Sequence, residues 1–204
     1  RDQPRSRGLG DVYKRQVMII AMNAVLQRYG GAAQGDMLVT CATIAQSFML
    51  VVTMPLGGIS GGTQTILSYN YGARQIARVN EAQRKIFLLC LGYTGLMTAV
   101  AWLGGGWFVR LFTSDPLVRS SALWAIRVCT MSLLPLGIQY EIVDGFTAIG
   151  EVRLALPLSF WRKLVYFAAL FALPAMYGAK AAFYAEPVSD VLGPAMSILS
   201  LIHI

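Results

Sequence analysis

The chain has 204 residues, 56% hydrophobic and only 13% charged, with a formal net charge of +7. Soluble domains carry about 25% charged residues, so the composition excludes an ordinary soluble core. It also excludes a nucleic-acid binder: residues 1–16 hold five basic and two acidic side chains, so +3 of the +7 sits there and a modest +4 remains for 17–204.

Residues 1–16, RDQPRSRGLGDVYKRQ, show no apolar period. A helix lying on a membrane surface needs a large apolar face, and only Leu9, Val12 and Tyr13 are available. The stretch resembles translated adapter sequence, as does the closing SLIHI, which contains the sole histidine, His203. It is therefore read as a non-native leader and set aside from the fold. Val17–Gln27 then offers 11 apolar or neutral residues, about 16 Å of helix. That is short of a membrane crossing, so a cut first helix is expected over 17–30.

From Met37 to Ala73 the chain runs 37 residues without Asp, Glu, Lys, Arg or His. A bilayer is crossed by roughly 20 apolar residues. No cluster of loop-forming residues interrupts the run, so one long helix over 36–72 is expected, bent at Pro55 where a helical hydrogen bond is lost. Gly57 with Gly61, and Gly58 with Gly62, are small pairs that let a neighbouring helix come close. The second half carries Ser60, Thr63, Gln64, Thr65, Ser68 and Asn70. Such groups need partners away from lipid; they either face a cavity or bond back to their own helix.

Ile86–Val109 is a further uncharged run of 24 residues, giving a helix over 84–112. Apolar stretches also give helices over 118–148, 154–178 and, cut short, 188–204. The pattern is an all-α polytopic membrane protein with four complete spans and two truncated ones. Basic residues alternate along it. Arg74, Arg78, Arg84 and Lys85 follow the second helix, and Arg153, Arg162 and Lys163 follow the fourth or lie just inside its border, whereas the other loops are poorer or balanced: Arg28 with Asp36, Arg110 and Arg119 with Asp115, Lys180 with Glu186 and Asp190. By the positive-inside rule the 74–85 and 149–163 loops are cytoplasmic.

The block MPLGGISGGTQTILSYNYGARQIARV (Met54–Val79) resembles the multidrug and toxic compound extrusion (MATE) family, as do VDGFTAIGEVRLALPLSFWRK (Val143–Lys163) and FYAEPVSD (Phe183–Asp190). The bacterial branch it is most similar to has Gln-Pro ahead of the Tyr-Asn-Tyr-Gly-Ala motif, where this chain has Gln64-Thr65. The resemblance implies the second six-helix lobe of a twelve-helix transporter whose first lobe is missing. It further implies multi-pass insertion in the plasma membrane and rocking of the lobes about a central cavity. The implied activity is export of cationic or amphiphilic small molecules in exchange for Na⁺ or H⁺, with no other cofactor and no enzymatic reaction.

Glu141 and Asp144 are the outstanding acids inside a span. At i, i+3 they share a helix face, and each can bind a cation or a proton; equally, both lie near enough to Gly150 to be hydrated at the span's end. The acid that some family members carry in this helix falls about where Ile138 and Gln139 stand here, so the resemblance does not decide between them. Gln46, Ser60, Gln64, Asn70, Gln139 and Tyr140 are candidate cavity-lining residues. Tyr69, Tyr71, Phe146, Met49 and Met54 are cavity or packing residues. Cys41, Cys90 and Cys129 are isolated and indicate neither a disulfide framework nor a metal site. Two alternatives stand beside export: a flippase for lipid-linked sugars, whose cavity would be markedly basic, and a membrane enzyme, for which no catalytic constellation is present. On the sequence, Arg127 is the one basic residue well away from a span border.

Overall fold

The computed structural model describes residues 3–202, and the side chains of 16–199 except Ala33 and Val152. Among the described residues the fold is all-α, with no strand. Six α-helices and a short 3₁₀ turn follow in order: α1 (Gln3–Gly72), α2 (Ile76–Arg110), α3 (Pro116–Thr130), α4 (Leu133–Ala148), α5 (Val152–Tyr177), the turn Ala179–Tyr184, and α6 (Ala185–Ile202).

α1 is two helical arms joined at Gly31, whose φ of 61° and ψ of −170° are not helical. Only glycine adopts this backbone without steric cost. The arms fold against each other across glycine: a Cβ on Gly30 would stand 2.9 Å from the Gly35 Cα, and one on Gly35 would stand 3.3 Å from the Gln27 Cα. The helix begins upstream at Gln3, but the side chains of Val12 and Tyr13, on which any packing of the leader turns, lie outside the described residues, as does His203. The second arm continues unbroken to Gly72 with Pro55 inside it. It ends in a turn where Gln75 N–H donates to the Asn70 carbonyl (2.9 Å) and Arg74 N–H to that of Tyr71 (2.9 Å). The left-handed position of that turn is Arg74 (φ 56°), not Gly72. An identical pair of bonds, from Glu151 to Phe146 (2.9 Å) and Gly150 to Thr147 (3.2 Å), closes α4 with Gly150 at φ 86°.

The 118–148 region is not one helix. α3 starts on an Asp115 cap, whose carboxylate accepts from Leu117 N–H at 2.8 Å, with Pro116 in the first turn. It stops at Thr130, and α4 resumes at Leu133, bent by 43°. Pro135 explains the break: it has no N–H for the Met131 carbonyl, and its ring crowds that oxygen. At the far end, α6 starts at Ala185, three residues before the expected 188.

The second arm of α1 (Gln34–Gly72), α2 and most of α5 (Arg153–Tyr177) are long and apolar enough to cross a membrane, and the α3–α4 pair makes a fourth crossing if the bent pair is one span. The outer face of α2 bears Leu88, Leu96, Trp102, Leu103 and Trp107 in the open. A water-soluble surface does not tolerate so continuous an apolar patch; lipid does. The core joins α1 (Leu38, Phe48, Val52), α2 (Cys90, Ala101, Val109), α3 (Ala122, Ile126), α4 (Leu133, Leu136) and Phe183.

Close helix contact falls at glycines other than those expected. Gly58, Gly61 and Gly62 meet nothing within 4 Å, and Gly57 meets only the Tyr140 ring. The tight approach is α4 on α2: a Cβ on Gly137 would stand 2.9 Å from Thr94 Cγ2, and one on Gly145 would stand 2.7 Å from Gln83 Nε2. Thr94 is fully buried and has no room to retreat. Gly137→Val is therefore expected to lower stability by about 1–3 kcal/mol through overpacking, with Gly58→Ala near neutral. Thermal unfolding of both variants in detergent checks this.

Candidate functional site

In an apolar surrounding each polar side chain must meet another within the protein. The polar groups of the second arm of α1 divide on this rule. Thr63 and Ser68 bond back to carbonyls of their own helix at 2.9 and 3.1 Å, and Asn70 to that of Ile66 at 2.8 Å. Ser60 and Gln64 instead reach across to α4. Ser60 Oγ donates to one Asp144 oxygen at 2.5 Å, and Gln64 Nε2 donates to the other at 2.9 Å. Ser60 and Gln64 are one helical turn apart, so they present two donors on one face to one carboxylate.

Glu141 is held differently. It is 5% exposed and accepts from Gln83 Nε2 of α2 at 2.5 Å. The i, i+3 spacing thus does not gather the two acids on one partner. α4 is wedged between α1 and α2, and its acids are taken up by opposite neighbours. Gly145 makes room for Gln83 to reach Glu141.

A cavity of about 670 Å³ opens between α1, α4, α5 and α6. Its wall includes Asp144, Gln46, Gln139, Tyr140, Met49 and Met54. Ser60 and Gln64 stand behind it as donors to Asp144, while Glu141 and Asn70 do not line it. Tyr69 and Tyr71 are exposed, and Phe146 is buried in a small apolar cluster with Ile142, Ala155 and Leu158. The three cysteines are buried in apolar packing.

The same wall carries four charged residues that sequence reasoning placed in loops: Arg162, Lys163, Glu186 and Asp190. Arg162 and Lys163 are not at a span border. Ten residues of α5 precede Arg162, about 15 Å of helix. The 149–163 stretch is accordingly a loop only as far as Glu151. Arg162 Nη1 donates to Asp190 at 2.5 Å, and Ser132 Oγ lies 3.4 Å from the other oxygen of that carboxylate. Asp190 is 1% exposed. Ser197 Oγ donates to Gln139 at 2.6 Å, tying α6 to α4. Arg127, by contrast, is exposed, with its guanidinium 5.7 Å from the Trp102 ring centroid. The available signal was the i, i+4 spacing of Glu186 and Asp190 among Val188, Val191 and Leu192, a helical stripe of acid on an apolar segment.

The family profile described as MatE matches residues 15–176. The chain belongs to the MatE family. It is 26% identical over 161 residues to the multidrug export protein MepA of Staphylococcus haemolyticus, a match covering 78% of this chain and 34% of that protein. Three solved MATE structures share the fold. The inward-facing conformation of a multidrug resistance transporter of the MOP superfamily superposes with a TM-score of 0.77 (16% identity, 90% of this chain, 42% of the other). An outward-facing conformation of such a transporter gives 0.80 (16%, 91% and 41%). A mutant of the Vibrio cholerae MATE transporter VcmN gives 0.81 (19%, 93% and 42%). The chain thus spans about a third of the length of MepA and about two fifths of the solved transporters.

Gln83→Leu is expected to leave the Glu141 carboxylate buried without its donor, at a cost of about 1–3 kcal/mol. The double replacement Gln83→Leu with Glu141→Leu should recover most of that loss, because both halves of the pair then become apolar. Unfolding midpoints of single and double variants in detergent measure both effects.

Proposed function

We propose that this MatE-family chain forms one lobe of a multidrug exporter that works by alternating access, exchanging Na⁺ or H⁺ for bulky cationic or amphiphilic compounds. A second lobe of the same transporter supplies the opposite wall of the cavity. The observation that carries this reading is Asp144: an acid inside a membrane-type helix, on the wall of a cavity, oriented by two donors from another helix. A carboxylate so held can take a proton, a metal cation or an organic cation in turn, which is the requirement for exchange at one site. The printed name of MepA and the existence of inward- and outward-facing relatives of this fold support the same reading.

Between the two acids, the geometry favours Asp144 as the coupling group, since Glu141 is turned away toward Gln83. The expected 74–85 loop is a turn only as far as Gln75; Arg74 in it, with Arg78, Arg84 and Lys85 in the first ten residues of α2, favours a cytoplasmic side in the plasma membrane. Arg162 and Lys163 no longer count as loop charges, so the 149–163 side rests on Arg153. The flippase alternative calls for a basic cavity; here three acids (Asp144, Glu186, Asp190) face two bases (Arg162, Lys163), which favours a cationic cargo.

In the whole transporter, reconstituted in vesicles with an imposed ion gradient, Asp144→Asn is expected to reduce gradient-driven export of an organic cation at least about tenfold. Glu141→Gln should retain most of it. Full export by both variants would move coupling out of this lobe.

A further inference from the structure

We propose that Lys163 sets the number of positive charges that the cavity accepts in a single ligand. The inference rests on the export reading above and adds a specificity determinant to it.

Charged groups at mid-span face a cavity or a partner and mark function, and Arg162 and Lys163 stand side by side on the cavity wall in the middle of α5. They have different duties. Arg162 is committed to Asp190 at 2.5 Å, and its stem runs so close to α6 that a Cβ on Gly193 would stand 3.0 Å from its Cγ. That pair cancels its own charge. Over the whole wall, Asp144, Glu186 and Asp190 stand against Arg162 and Lys163: three negative charges and two positive, a net of −1. The wall also offers more than charge. The Nε2 of Gln139, a residue only 3% exposed, has no hydrogen-bond partner among the described residues, a donor on the same wall as the acids for an acceptor atom on the ligand.

In a cavity bounded by apolar helices, charges interact more strongly than in water. A ligand with one positive charge brings the sum on this lobe's wall to zero. A ligand with two overshoots, and Lys163 repels the excess. Lys163 thus acts as the repulsive element on which discrimination between related ligands rests. Removing its charge takes the wall to −2 and makes a dication the balanced cargo. A volume of about 670 Å³ admits either kind of drug-sized ligand, within the roughly 300–1,000 Å³ usual for such sites, so size does not make the choice.

The test compares tetraphenylphosphonium, a monocation, with methyl viologen, a dication, by titration calorimetry on the whole transporter in detergent. Lys163→Gln and Lys163→Met should each raise the affinity ratio of dication to monocation at least about tenfold, while Lys163→Arg keeps the wild-type ratio. Adding Glu186→Gln to Lys163→Gln restores the net of −1 and should return the ratio toward wild type. A ratio unmoved by the neutral replacements overturns the proposal. So does a ratio that the double variant fails to return, which would make the effect a local contact. Loss of both probes in both neutral variants, with Lys163→Arg still binding, makes Lys163 structural and overturns it too. A wild-type protein that binds neither probe sinks the export reading itself, which separates the two failures.

Discussion

Every buried polar side chain in this fold has to find its partner on another helix or on its own backbone, because the surroundings supply no water. That single constraint arranges the lobe. Apolar side chains as large as Trp102, Leu103 and Trp107 lie outside, where lipid receives them at no cost. Ser60, Gln139, Glu141 and Asp190 lie inside, each in a named hydrogen bond. A water-soluble fold would have to invert this arrangement.

The helix contacts follow from the same rule. Lipid tails are as apolar as leucine, so helices gain little by hiding Leu from them; association depends on close packing and on polar links. α4 makes both. Gly137 and Gly145 bring it against α2, and its acids are received by Gln83 on one side and by Ser60 and Gln64 on the other. α5 and α6 repeat the device with Arg162, Asp190 and Gly193. A glycine beside a charged or amide side chain recurs because the long polar group needs the space a Cβ would occupy.

The cavity is the place where these links are exposed to a ligand. Its polar wall is drawn from α1, α4, α5 and α6. Under the proposed alternating access, movement of these helices would be coupled to binding, because the hydrogen bonds that hold Asp144 and Asp190 are those a bound cation would compete with. Proline inside α1, α5 and α6 (Pro55, Pro157, Pro174, Pro194) interrupts the backbone ladder in the helices around that opening and lowers the cost of such movement.

The sequence by itself determined the all-α membrane class, because 37 uncharged residues in a row admit no other inexpensive environment. It also determined the unbroken second arm of α1, the family through the YNYGA block, and Asp144 as an acid of interest. The expected single helix over 118–148 failed for a local reason: Pro135 divides α3 from α4. The site itself was legible only in part. Gln46, Gln139, Tyr140 and Asp144 reach the cavity wall, Ser60 and Gln64 support it, and Glu141 and Asn70 point elsewhere. The i, i+3 spacing of the acids specifies a shared stripe of helix but not which neighbour receives each one. Arg162 and Asp190, 28 residues apart, read as loop charges because a charge in an apolar stretch looks like a border until its partner is known. Only the packing of α5 on α6 brings the partner within 2.5 Å, and pairing is what makes a charge tolerable at that depth.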